Sequence, residues 1–215
     1  MIQITVSDHK GNTKESALGS VNSFDEATRR LAGIDGGARR AIGAAIERTM
    51  TSARAYAARS VTKEYALTST VFKEYTKVTS SNKHRTVKVD HGTTECGILF
   101  HGYHIPLIRF DTSFGADGLL ITRVKRGSSA KALEHAVGNE RKAAFTATVN
   151  GRLGIYEREG RERFPIDQLF GPATPQMMSA NETVMDDIQD HIRETFEKRL
   201  DHEITRILNG WGGRS

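Results

Sequence analysis

His101-Gly-Tyr-His104 sets two imidazoles three residues apart, with His91 and Asp111 close in sequence. Two neutral histidines and a carboxylate are a donor set for zinc. On a strand, however, positions three apart face opposite sides, and the intervening glycine weakens preorganisation. No third ligand stands at a recognisable metal-site spacing, so half-buried or loop histidines are the simpler reading, and no metal or cofactor is assigned. Asp186, Asp190, Glu194, Glu197 and Asp201 could be cast as paired acids. Their near-i, i+4 spacing is what a solvated helix face produces, with Arg193, Lys198 and Arg199 as partners. Cys96 stands beside Ile98, Leu99 and Phe100 and reads as a small buried side chain. A single cysteine forms no internal disulfide, which fits a reducing compartment. The nucleophile elbow G-x-S-x-G, the Walker A loop, H-E-x-x-H and C-x-x-C are all absent. Gly33-Ile-Asp-Gly36-Gly37 follows a helix signal rather than a strand and reads as a helix break. The motifs therefore point away from an enzyme.

Charge carries more information. Residues 1–64 hold ten basic and seven acidic groups, 65–163 sixteen and ten, and 164–215 five and nine. A body of +9 thus carries a C-terminal arm of −4. Such polarity suits nucleic-acid contact or head-to-tail pairing of copies. Arg123, Lys125 and Arg126, with Lys83, Arg85, Lys88, Arg141 and Lys142, could form one positive face against phosphate. No aromatic RNA-binding pattern, zinc finger or helix-turn-helix signature accompanies them, and a charge run is usually a solvated face.

The elements that must position these groups can be read from periodicity. At 215 residues with 37% hydrophobic content, the chain can bury one substantial core. No apolar run approaches the roughly 18 residues of a membrane span, and the N-terminus lacks a signal-peptide pattern. MIQITV reads as a strand and HKGNTKESALGS as a polar loop. Ser23 and Glu26 form a capping-box pattern, and Gly33, Gly36 and Gly37 interrupt the helix it opens. An Ala/Arg-rich helix is expected from Gly37 to about Val61, with Ile42, Ala45, Ile46, Met50, Ala53, Tyr56, Ala57 and Val61 on one stripe. Thr68 or Ser69 caps a short helix through VFKEY. Residues 77–156 read as strands in HRTVKVD, CGILFHGY, IPLIRFD, LLITRVKRG, AFTATVNG and RLGIYERE, with Asn150-Gly151 as a hairpin turn. KALEHAV reads as a short helix or an irregular crossing. Asn181 or Thr183 opens a long helix ending near Asn209. Val184, Ile188, Ile192, Phe196, Leu200, Ile204 and Leu208 recur every four residues along it. Each step of four advances about 40°, so the stripe wraps some 240° and one flat surface cannot cover it. The first half is expected on the chain's own body, and Leu200, Ile204 and Leu208 against a neighbour.

Three of the four prolines, Pro165, Pro172 and Pro175, fall within FPIDQLFGPATPQM, residues 164–177. Pro165 is expected in the first turn of a one-turn helix, Gly171 in a left-handed stop, and Thr174-Pro175 at a helix restart. The segment is stiff and apolar, unlike a Gly/Ser linker. Phe164, Ile166, Leu169, Phe170, Met177 and Met178 could pack inward or dock a partner. The reading is an α+β protein: a central, mostly antiparallel sheet packed by the Ala/Arg-rich helix and the C-terminal helix. Residues 1–163 form the body, 164–180 a rigid bracket, and 181–215 a helix with a short flexible tail, all within one domain.

The run Arg163-Phe-Pro-Ile-Asp-Gln-Leu-Phe-Gly-Pro-Ala-Thr-Pro-Gln-Met177 resembles the L-P-I-x-x-L-x-G-P-S-V-P-Q-M segment of the phage minor tail protein Z family. An Ala/Arg-rich N-terminal helix, the tract around Val149-Asn-Gly-Arg-Leu-Gly-Ile-Tyr156, and a closing helix ending Arg199–Leu208 agree with it. The likeness covers roughly residues 25–208. Phe164 stands for the usual Leu, Ala173-Thr174 for Ser-Val, and the N-terminal strand has no counterpart. The resemblance implies a non-enzymatic virion protein acting in tail completion and head–tail joining at the head-proximal end of the tail, assembled in the host cytoplasm. It implies a ring of the protein's own copies, a hexamer by tail symmetry, meeting the tail terminator or the head–tail connector, without a membrane. The candidate interface is then Phe164, Pro165, Ile166, Leu169, Phe170, Gly171, Pro172, Pro175, Met177, Leu200, Ile204 and Leu208. The alternative is a basic protein contacting passing genomic DNA through Arg123, Lys125 and Arg126.

Overall fold

The N-terminal strand β1 (Ile2–Asp8) runs parallel to β5 (Thr93–Gly102), with Ile4 beside Ile98 and Val6 beside Phe100. The computed structural model describes residues 2–8, 10, 13–17, 22–80, 88–90, 93–137 and 140–210. A parallel pair needs a long crossover, usually helical. Here it holds β2 (Thr13–Ala17), α1 (Asn22–Arg30), α2 (Gly37–Glu64), α3 (Ser69–Glu74), β3 (Thr76–Ser80) and β4 (Lys88–Asp90). The main sheet runs β2-β1-β5-β3, with β4 folded back on the start of β5. Ile4, Val6, Ile98 and Phe100 are buried apolar positions at period two, and Thr5 between the first two is buried as well. One expectation is corrected here: the polar loop after β1 contains β2, which pairs with β1 antiparallel. The central sheet is mostly antiparallel as expected, with β1–β5 its parallel pair.

Beyond β5 the chain forms small antiparallel sheets. They are built from β6 (His104–Pro106), β7 (Asp111–Phe114), β8 (Leu120–Arg123), β9 (Lys131–Ala132), β10 (Glu134–Val137) and β11 (Glu140–Ala143). These are followed by β12 (Phe145–Val149), β13 (Arg152–Arg158), β14 (Ile166–Gln168) and β15 (Phe170–Ala173). IPLIRFD is interrupted by a 3-10 turn at Leu107–Arg109, and KALEHAV is strand rather than helix. Asn150 and Gly151 have φ of 51° and 74°, both left-handed as a tight I′ hairpin turn requires.

The helices start where their caps dictate. Gly36, at φ 61°, precedes α2; Thr68 Oγ1 accepts from Val71 N at α3. Asn181 Oδ1 accepts from Thr183 N at α5 (Glu182–Leu208), after the short α4 (Thr174–Ser179). The α1 helix begins at Asn22, one residue before the expected cap Ser23. Ala41, Ala45, Ala53, Ala57 and Ala58 of α2 are buried small side chains, which permit close packing of its neighbours, and α5 is the helix packed most extensively on α2. Phe24 of α1 closes the seam against Phe196, ring centroids 5.4 Å apart. One cluster of buried side chains draws on the main sheet, α1, α2, α4 and α5 together. Among the described residues, no helix is long and apolar enough to cross a membrane.

This packing corrects the two-sided reading of the C-terminal helix. Val184, Ile188, Ile192, Phe196, Leu200 and Ile204 are all buried within the chain, and only Leu208 of the stripe is exposed. Met185 and Ile207 widen the buried band on α5. The arm's charge is also partly met at home. Arg30 reaches Asp201 at 3.1 Å, and Arg48 reaches the fully buried Glu203 at 3.1 Å, which Arg206 holds from its other side at 2.8 Å. A buried carboxylate needs such partners.

Candidate interaction surface

The proline-rich segment is strand before it is helix. Ile166 and Gln168 pair with Arg158 and Tyr156 across β13–β14. Phe170 lies opposite Pro106 and Ala173 opposite His104 across β15–β6, with a register shift between them at Gly171-Pro172. The expected one-turn helix from Pro165 therefore does not form. Pro165 precedes β14 and Pro172 sits at the irregularity, the places where a sheet tolerates a residue without N–H. The helical restart does form: α4 begins at Thr174 with Pro175 in its first turn.

Period two then divides β14 and β15, and α4 turns its first residues inward. Phe164, Pro165 and Phe170 are exposed, whereas Gly171, Ala173, Pro175, Met177 and Met178 are buried. Leu169 is half-buried against the core; its N–H donates to Ile155 O at 2.8 Å, and its carbonyl accepts from Leu107 N at 3.0 Å. Ile166 and Pro172 are intermediate. Gly171 is not left-handed. It is glycine because an added Cβ would come within 2.6 Å of the Phe110 ring, and its carbonyl accepts from His104 Nδ1 at 2.9 Å. Gly102 is constrained in the same way, since a Cβ there would collide with Thr174 at the start of α4. Gln176 ties α4 to the N-terminal strand: Nε2 donates to Asp8 Oδ2 at 3.2 Å, while Oε1 accepts from Ala173 N at 3.0 Å.

The outward half of the segment borders a cleft of about 890 Å³. Phe170 (50% exposed) lines it with Tyr103 (44%) and Leu153 (59%), and Arg109, Arg152 and Gln168 supply polar groups. Half-exposed aromatic and aliphatic side chains rimmed by arginine are the composition of a protein contact surface. Phe164, 64% exposed, has the Arg163 guanidinium 5.6 Å from its ring centroid. The spacing of the sequence could not supply Tyr103 and Leu153, because they arrive from β5–β6 and from a distant hairpin.

The other sequence candidates fall elsewhere. Leu200 and Ile204 are core side chains and Leu208 is exposed at the end of α5. Arg123 pairs with Asp111 at 3.6 Å, Lys125 lies 5.8 Å from the Tyr65 ring centroid, and Arg126 Nε donates to Thr62 O at 2.8 Å. Arg123 and Arg126 line one cleft with Arg109. Arg141 instead pairs with Glu134 across β10–β11. Lys83, Arg85 and His91 lie outside the described residues, as does the tail from 211. Lys88 and Cys96 are described only as strand positions. His101 stands edge-on to Tyr103, and no metal-binding group of three His, Cys, Asp or Glu occurs among the described residues.

No match was found among curated proteins, and none among solved structures. The family model described as prophage minor tail protein Z (GPZ) matches residues 21–210, which include all five described helices and the whole proline segment. The chain belongs to the prophage minor tail protein Z family, structural proteins of the phage tail.

Proposed function

We propose that this tail protein acts in tail completion and head–tail joining, as a subunit of a homo-oligomeric ring at the head-proximal end of the tail. Its neighbours in that reading are its own copies, six by tail symmetry, and the tail terminator or the head–tail connector. The supporting observation is the cleft formed by Phe170, Tyr103 and Leu153. Apolar side chains are held half out of the surface by a backbone fixed from behind through Leu169, Gly171 and Gln176. A rigid scaffold under an exposed aromatic anchor lowers the entropy lost on docking. Phe170→Ala should leave the protein folded while purified tails carrying it fail to join heads. Joining at the wild-type level with Phe170→Ala would remove the cleft from this role. Leu169 is not an equivalent probe, because its side chain packs on the core. The second reading, phosphate contact by Arg123, Lys125 and Arg126 with passing genomic DNA, draws on Arg123 and Arg126 sharing a cleft with Arg109.

A further inference from the structure

Arg109, Arg123 and Arg126 line a cleft of about 570 Å³ beside Thr68 and Asp111. They come from three places: the 3-10 turn after β6, the end of β8, and the turn that follows it. Their guanidinium groups are only partly used. Arg123 stands 3.6 Å from Asp111 and Arg109 3.7 Å from Glu74, ion pairs longer than a good hydrogen bond. Arg126 donates Nε to Thr62 O, leaving its terminal nitrogens for another acceptor. Several guanidinium forks in one concavity match oxyanions, which arginine takes bidentately.

The complementary surface is on the same chain. Between residues 182 and 197 six carboxylates accompany a single arginine. Asp186, Asp190 and Glu194 lie exposed on one face of α5, opposite the buried apolar band. Spaced by four, they recur about every 6 Å along the helix. Asp186, Asp187, Glu194 and Glu197 have no ion-pair partner among the described residues. Asp190 has only Arg193, at 3.4 Å.

We infer that the Arg109–Arg123–Arg126 cleft receives the acidic outer face of α5 from a second copy of the chain. The inference rests on the ring reading and names the contact that would build it. A helix face fits better than a phosphate track because it carries Arg193 among its carboxylates, a cation to set against Asp111. A phosphate chain has no such group. Cleft and helix are different surfaces, so each copy offers one and receives the other, the heterologous arrangement that closes into rings.

The test uses two full-length double variants, Arg123→Gln/Arg126→Gln and Asp190→Asn/Glu194→Gln, followed by sedimentation across concentration and salt. Each alone should self-associate about tenfold more weakly than wild type. Mixed in equal amounts they should form heterodimers and nothing larger, since the pair retains one intact cleft and one intact helix. The helix substitutions are on an exposed face, so that arm stays informative if the cleft variant folds poorly. A wild-type protein that is monomeric at every concentration overturns the ring reading and this contact with it. A wild-type oligomer that both variants preserve overturns the contact alone. Tight, salt-sensitive binding of a random-sequence duplex that only the cleft variant loses, with self-association intact, would reassign the arginines to phosphate.

Discussion

The C-terminal helix and the proline-rich segment both carry apolar side chains on more than one side, yet the fold resolves them in opposite ways. On α5 the wrapping stripe is covered by the chain itself: α1 and α2 bury it from Val184 to Ile207. On the proline segment half of the apolar groups stay outside, because strand alternation sends Phe170 out while Gly171 and Ala173 turn in. A helix can be enclosed by helices on several sides, whereas a short edge strand has one face toward the core and one toward water. The contrast separates apolar residues that hold the molecule together from those available to a neighbour.

The comparison can be broken by substitution, beginning with the core. Phe196→Ala removes a fully buried ring between α5, α1 and α2 and should cost about 3–5 kcal/mol. A denaturant midpoint near wild type would show that the helical seam is not the main support. Next, Gly171→Val drives a side chain into the buried Phe110 ring and should cost about 1–3 kcal/mol. Retained thermal stability there would mean that β15 moves away freely, contrary to a rigid bracket. Phe170→Ala, one residue earlier, should change stability by no more than about 0.5 kcal/mol. A drop as large as that of Gly171→Val would place the Phe170 ring in the core.

The smallest effect concerns the wet edge of the helical seam. His191 stacks on Tyr56 with centroids 4.0 Å apart, and its Nε2 lies 2.9 Å from Ser52 Oγ. Burial, then the Arg59 charge, hold its pKa below the ordinary imidazole value; Glu194 opposes them and Lys198 adds to them. The unfolded chain therefore takes up this proton first. The contribution of neutral His191 is complete above about pH 6.5 and is lost as pH falls through the lower folded-state value. Melting temperature should decline over that range, and His191→Phe should flatten part of the decline. Parallel curves for wild type and variant would exclude His191 as the source.

Much of this architecture was legible because it rests on local rules. Periodicity and caps located α2, α3 and α5 to within a few residues, and Asn150-Gly151 located the hairpin. The proline segment was misread where local rules conflict. Pro165 and Gly171 fit helix punctuation equally well, but pairing with β13 and β6 outweighed it. β2 hid in a polar run because its pairing with β1 depends on backbone hydrogen bonds rather than on an apolar pattern. Of the cleft lining, Phe170 could be nominated from the segment alone. Tyr103, Leu153 and Arg109 could not, since nothing in their spacing reports that they converge.

The sequence by itself determined the helix positions, the basic body with its acidic arm, and the family fingerprint at residues 164–177. Those properties depend on residue type and near-neighbour spacing. Only the tertiary structure decided that the whole stripe of α5 down to Ile207 is internal, that Phe170 is external, and that Arg109 joins Arg123 and Arg126. Burial and convergence depend on which distant segments cover or meet each residue, and no local pattern encodes that.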